Sequence, residues 1–96
     1  MADDKVSRAI QKMVDRIVER FAPEAVILFG SHAKGTADPD SDVDLLVVMR
    51  FEGSRRALAN EIDRALLDRE LPLDLIVVTP EEVARDRDQV GTVIRP

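Results

Sequence analysis

The chain has 96 residues, 45% of them hydrophobic, which makes one small domain (1–96) with apolar surface for a single modest core. Its formal net charge of −5 argues against general nucleic-acid binding, and with no Tyr or Trp and three Phe it is short of base-stacking platforms. There is no cysteine, hence neither a disulfide nor a thiolate zinc site, and no apolar run approaches the roughly 20 residues a membrane span needs.

The first residues, MADDKVSRAI, lack a basic segment followed by an apolar one, so the expectation is a cytoplasmic protein without a membrane role. Val6, Ile10, Met13, Val14, Ile17 and Phe21 recur at helical spacing. Asp3 or Asp4 can cap the start and Pro23 follows the end, which predicts a helix over about residues 4–21. Ala25 to Phe29 (AVILF) is a short apolar run ended by Gly30 and reads as a buried strand. Ser31 to Lys34 has room for one helical turn before Gly35, and Thr36 to Ser41, rich in Asp and Pro, reads as a loop. A second strand is expected over Asp42 to Met49. Gly53 and Ser54 then open a second amphipathic helix, with Leu58, Ile62, Ala65, Leu66 and Arg69 on one side. Pro72 separates that helix from a third strand, Leu73 to Val78. Thr79-Pro80-Glu81-Glu82 is a helix start, with Thr79 as N-cap, Pro80 in the first turn and Glu82 closing a capping box; this helix is expected to end near Asp88. The tail QVGTVIRP is too short to classify. The order of elements predicts an α/β (α+β) domain with helices packed against a small mixed β-sheet.

Three features could carry chemistry. Gly30-Ser31 ends a strand, where glycine lets the backbone turn sharply and approach a ligand, and the N–H groups of a helical turn can meet an anion. Gly30 and Gly35 have the spacing of a P-loop, but Thr36 stands where that loop needs lysine and Lys34 lies before Gly35, so a P-loop is rejected. Asp42 and Asp44 are two apart, on one face of an extended chain, with Cα atoms roughly 6.6 Å apart. A solvated strand edge would also hold two acids, yet these lead into Leu45, Leu46, Val47 and Val48, an apolar run suited to a central strand. Carboxylates crowded there repel by about 4 kcal/mol at roughly 4 Å and an effective dielectric near 20. A divalent cation removes that repulsion, and hard oxygen ligands favour Mg²⁺ or Mn²⁺. Asp38, Asp40, Asp42 and Asp44 imitate the start of a calcium loop, but Val43 and Met49 stand where that loop needs glycine and glutamate.

Asp74, inside LDLIVV, is the third feature. It either joins Asp42 and Asp44 from a neighbouring strand or pairs with a nearby base such as Arg69. Three carboxylates could hold two metal ions roughly 3.5–4 Å apart for in-line phosphoryl displacement. His32 is either a solvated loop histidine or a contact to a phosphate or base, and Lys34 either an exposed lysine or a neutraliser of triphosphate charge.

Taken together, Gly30, Ser31, Gly35, Ser41, Asp42, Asp44, Leu45 and Asp74 resemble the nucleotidyltransferase domain of the DNA polymerase β superfamily, and within it the minimal nucleotidyltransferases. The likeness runs over about residues 4–90. It implies a polymerase β palm-like fold and transfer of a nucleoside monophosphate, AMP, from an NTP such as ATP to an acceptor hydroxyl. By that resemblance Gly30 and Ser31 would hold the triphosphate, with Lys34 beside them, and Ser41 would orient the aspartate loop. Asp42, Asp44 and Asp74 would bind the catalytic Mg²⁺ or Mn²⁺, and Asp74 would help take the acceptor's proton. The family often has arginine where this chain has His32 and Lys34. Minimal members resemble antitoxins paired with a HEPN-type toxin, which implies a protein acceptor. The alternative is an antitoxin that neutralises its partner by docking, without catalysis.

Overall fold

A stripe of apolar side chains along the first helix supplies one wall of the core. Ala9, Ile10, Met13, Val14 and Ile17 are all buried on α1 (Ala2–Phe21), at the i, i+3, i+4 spacing of one helix face. The computed structural model describes residues 2–38, 41–86 and 92–94, with side chains at 5–38 and 41–85. The helix closes through Ala22, whose left-handed φ of 47° lets its N–H reach the Val18 carbonyl at 3.0 Å. The elements that follow are β1 (Ala25–Phe29), α2 (Gly30–Lys34), β2 (Val43–Val48), α3 (Arg55–Ala65), β3 (Leu73–Val78), α4 (Pro80–Asp86) and β4 (Thr92–Ile94).

The strands form one sheet in the order β3-β2-β1-β4. β1 runs antiparallel to both β2 and β4, and β2 runs parallel to β3, so the sheet is mixed as expected. The two-residue alternation of the strands sorts their side chains. Val43, Leu45 and Val47 are buried with Val26 and Val77 against α1 and against Ile62 and Leu66 of the α3 region. Residues between them, Asp44 and Leu46 on β2 and Asp74 and Ile76 on β3, therefore face the other side. Ile76 is 40% exposed there.

The local signals were sound. Ser54 caps α3, accepting from the Ala57 N–H at 3.1 Å. The Thr79–Glu82 capping box is formed in both directions: Thr79 N–H donates to Glu82 Oε1 at 2.8 Å, and Glu82 N–H to Thr79 Oγ1 at 3.3 Å. Three expectations need adjustment. The second amphipathic helix ends at Ala65, with Leu66 as its C-cap, so Arg69 lies beyond it. The second strand starts at Val43, because Val43 is the first residue whose N–H enters the ladder, donating to Pro72 O at 2.8 Å. The unclassified tail contains β4, which pairs with β1; three residues carry no periodicity to read. The expected end of the last helix near Asp88 lies outside the described residues, as does Asp40. Among the described residues, no helix is long and apolar enough to cross a membrane.

Candidate active site

The strand pairing decides which side chains meet. Phe29 at the end of β1 is the register partner of Asp44, and Asp44 is the register partner of Asp74 across the parallel β2–β3 pair. Adjacent strands lie about 4.8 Å apart, so Asp44 and Asp74 stand side by side on one face. Gly30, just past Phe29, rests directly on Asp44. A Cβ there would lie 2.1 Å from Asp44 Oδ2, and the residue's φ of +74° is in the left-handed region. Either fact alone disfavours a side chain; together they make Gly30 the residue that lets the turn close on the carboxylate.

From that turn α2 runs for one short stretch. No side chain caps its N-terminus, and at its C-terminus Gly35 adopts φ +74° while the Gly35 and Thr36 N–H groups converge on Ser31 O. Ser31 is half-buried and Lys34 exposed. Ahead of β2, Asp38 and Ser41 are bonded to each other. Ser41 Oγ accepts from Asp38 N–H at 3.0 Å and donates to Asp38 Oδ1 at 3.1 Å, and Ser41 N–H donates to Asp38 O at 3.1 Å. His32 reaches over from α2 to Ser41 O, with Nε2 at 3.1 Å. A carbonyl only accepts, so Nε2 carries the hydrogen of this bond.

The electrostatics follow from this packing. Burial pushes the Asp44 carboxyl above its usual range, the charges of Asp74 and Asp42 push the same way, and a side-chain hydrogen bond shared with Asp74 adds to them. His32 is the opposing influence. Asp42 and Asp74 are exposed and Asp44 is half-buried. Arg69, the alternative partner for Asp74 read from the sequence, is held by Asp63 at 3.2 Å and by Leu66 O at 3.0 Å. Among the described residues no Lys or Arg forms a salt bridge with Asp42, Asp44 or Asp74.

The donor chemistry fits a hard divalent cation: anionic oxygens only, crowded so that their ionised forms oppose one another. Among the described residues, however, no three His, Cys, Asp or Glu side chains are already drawn together into a set that could hold a metal ion. The fold presets the Asp44–Asp74 pair, while Asp42 stands at the strand's start with its charge in range of Asp44. The link from His32 to Ser41 had no signature in the sequence. The Asp38–Ser41 bonding did have one, since Asp and Ser side chains bond to nearby backbone in loops of this composition. A separate groove lined by Lys12, Arg16, Asp68, Arg69 and Glu70 lies on the helix side of the sheet and shares no residue with this group. Its charges are already paired, Arg16 with Asp68 and Lys12 with Glu70.

Comparisons with known proteins point the same way. Residues 10–93 match the family model described as nucleotidyltransferase domain. A protein of Methanocaldococcus jannaschii named "Putative protein adenylyltransferase" is 33% identical over 78 residues, covering 79% of this chain and 50% of that protein. The chain thus spans half the length of that relative. A crystal structure from Sulfolobus solfataricus, described as "a putative nucleotidyltransferase", aligns with a TM-score of 0.66 over 92% of this chain and 76% of that chain. At 24% identity this second likeness speaks for the fold.

Proposed function

The chain belongs to the nucleotidyltransferase domain family, and we propose that it moves AMP from ATP to a hydroxyl on a partner protein, in the cytoplasm. The observation that carries this reading is the Asp44–Asp74 pair set against the Gly30 turn. In this reading Gly30 and Ser31 receive the triphosphate, since the turn offers backbone N–H groups and a hydroxyl beside the carboxylates. Lys34 adds positive charge to that end of the nucleotide. Ser41, bonded to Asp38, keeps the aspartate loop in order.

Asp42, Asp44 and Asp74 hold Mg²⁺ or Mn²⁺. When bound, such an ion offsets the charge that develops on the phosphate oxygens and polarises the attacking oxygen. The acceptor hydroxyl oxygen forms a bond to the α-phosphorus, the bond to the bridging oxygen breaks, and pyrophosphate leaves. The hydroxyl proton passes to Asp74, the exposed member of the pair and so the one an incoming acceptor can reach. The acceptor class follows from the family resemblance, and a HEPN-type protein is the first partner to try. The curated relative's name, a protein adenylyltransferase, supports a protein acceptor.

Incubation with ATP labelled at the α-phosphate, Mg²⁺ and a HEPN-type partner tests the reading. Label should appear on the partner with wild type and not with Asp42→Asn. Absence of label with wild type, or equal labelling by the variant, overturns it. A docking-only antitoxin is the second reading, favoured by the lack of a ready three-ligand cluster among the described residues. It requires an Asp42→Asn/Asp44→Asn double variant to neutralise the partner in cells as wild type does.

A further inference from the structure

We propose that His32 is a positioning residue: its bond to Ser41 O fixes the loop that presents Asp42, so that the phosphate-side turn and the carboxylates form one rigid unit. The inference rests on the proposed transfer reaction and adds to it a residue that touches neither nucleotide nor acceptor.

The geometry is specific. Asp42 is exposed, and no side-chain hydrogen bond holds its carboxylate among the described residues. Its position therefore depends on its two chain neighbours. On one side Val43 N–H donates to Pro72 O at 2.8 Å, tying the chain to the segment that leads into β3. On the other side Ser41 is held twice, by its bonds with Asp38 and by His32 Nε2 at 3.1 Å. The bonds between Ser41 and Asp38 are local, whereas the bond to His32 spans nine residues and ties Ser41 to α2. The other end of α2 is anchored independently, because Gly30 lies against Asp44 with no room for a Cβ. His32 thus closes a ring that runs from Asp44 through Gly30, α2 and Ser41 to Asp42. With Nε2 given to a carbonyl, this nitrogen is not the one that greets a phosphate, in contrast to the phosphate-contact reading open from sequence. Groups that orient ligand side chains in this way, without ligating, typically change metal affinity 10- to 100-fold when removed.

The test compares wild type with His32→Ala and His32→Gln, the second keeping an N–H donor of similar reach. Thermal melts establish that each variant is folded, Mn²⁺ affinity is read by calorimetric titration, and kcat and the KM for ATP come from label transfer. His32→Ala should weaken Mn²⁺ about 10-fold and lower kcat with the KM for ATP within about twofold of wild type, and His32→Gln should recover most of both. A rise in KM at unchanged Mn²⁺ affinity would make His32 a phosphate ligand and overturn the proposal. So would Mn²⁺ binding by His32→Ala equal to wild type, or failure of His32→Gln to recover. If His32→Ala does not fold, His32→Phe against His32→Gln makes the same comparison with the side-chain bulk kept. Wild type that transfers no label, yet shows the Mn²⁺ pattern, removes the reaction and leaves the clasp. Label transfer that is indifferent to His32 removes the clasp and leaves the reaction. Wild type that binds no Mn²⁺ removes both.

Discussion

Where β2 and β3 finish, opposite charges meet. Arg50 bridges to Glu81 at 2.8 Å and to Glu24 at 4.0 Å. Arg55 bridges to Glu82 at 3.0 Å and lies 5.5 Å above the Phe51 ring. Where the same two strands begin, like charges meet instead: Asp44 beside Asp74, with Asp42 one step before. Both ends grow from the same sheet, and arginine is not scarce, so the difference is one of purpose. Pairing charges at the far end fastens α4 and the start of α3 to the strands. Leaving carboxylates together at the near end opposes the ionisation of Asp44 and leaves anionic oxygens of the kind a hard cation takes. Exposed pairs of the far-end kind each contribute little, on the order of 0–1 kcal/mol.

The largest expected effect comes from removing one of the crowded charges. Asp44→Asn should cut label transfer at least about a hundred-fold, since it removes the half-buried member of the proposed cation-binding group. Without divalent cation the same variant should melt higher than wild type, by about 4–8 °C for each kcal/mol of repulsion relieved in a domain of this size. Added Mn²⁺ should raise the melting temperature of wild type and leave the variant unmoved. A lower melting temperature for the variant in EDTA would show that Asp44 is not under strain, and the contrast between the two ends would dissolve.

Next in size is a pair of glycine variants that share one backbone conformation. Gly30 and Gly35 both have φ +74°, but a Cβ at Gly35 meets nothing within 4 Å whereas at Gly30 it meets Asp44 Oδ2 at 2.1 Å. Gly35→Ala should lose only the left-handed cost of roughly 1–2 kcal/mol. Gly30→Ala should lose more in a thermal melt and also weaken Mn²⁺ binding. Equal losses would mean that the turn does not press on the carboxylate.

The smallest effect separates the ends by pH. The native carboxyl of Asp44 is raised above its value of 3.8 in an open chain. The native state therefore holds that proton more tightly, and stability is gained as pH falls from neutral through the raised native pKa towards 3.8. Glu82 behaves oppositely. The Thr79 N–H and then Arg55 hold its carboxyl below the usual 4.5, so its contribution is present above 4.5 and lost as pH falls through the native pKa. In cation-free melts Asp44→Asn should steepen the acid loss of stability, and Glu82→Gln should flatten it below about pH 4.5. Curves that coincide with wild type would place the acid response elsewhere.

Much of the architecture could be read along the chain. The limits of β1 and β3 coincide with the apolar runs Ala25–Phe29 and Leu73–Val78, because Gly30, Pro72 and Thr79 mark their ends. The capping box at Thr79 and Glu82 was equally legible, being a matter of a few bonds. β4 was not, since Thr92–Ile94 is a strand only by virtue of pairing with β1. Nor was the hold of His32 on Ser41, for which neither residue type nor spacing is a sign.

Residue order governs what backbone torsions and near neighbours can decide: where helices cap, where the chain turns, which side chains alternate. Whether Asp74 met Asp44 or Arg69 was left open at that level and was resolved by packing. Val43, Leu45 and Val47 must be buried against α1 and α3. A one-residue slip of β2 would turn Asp44 into that core, so the pairing that buries the valines and leucine is also the one that sets two aspartates side by side.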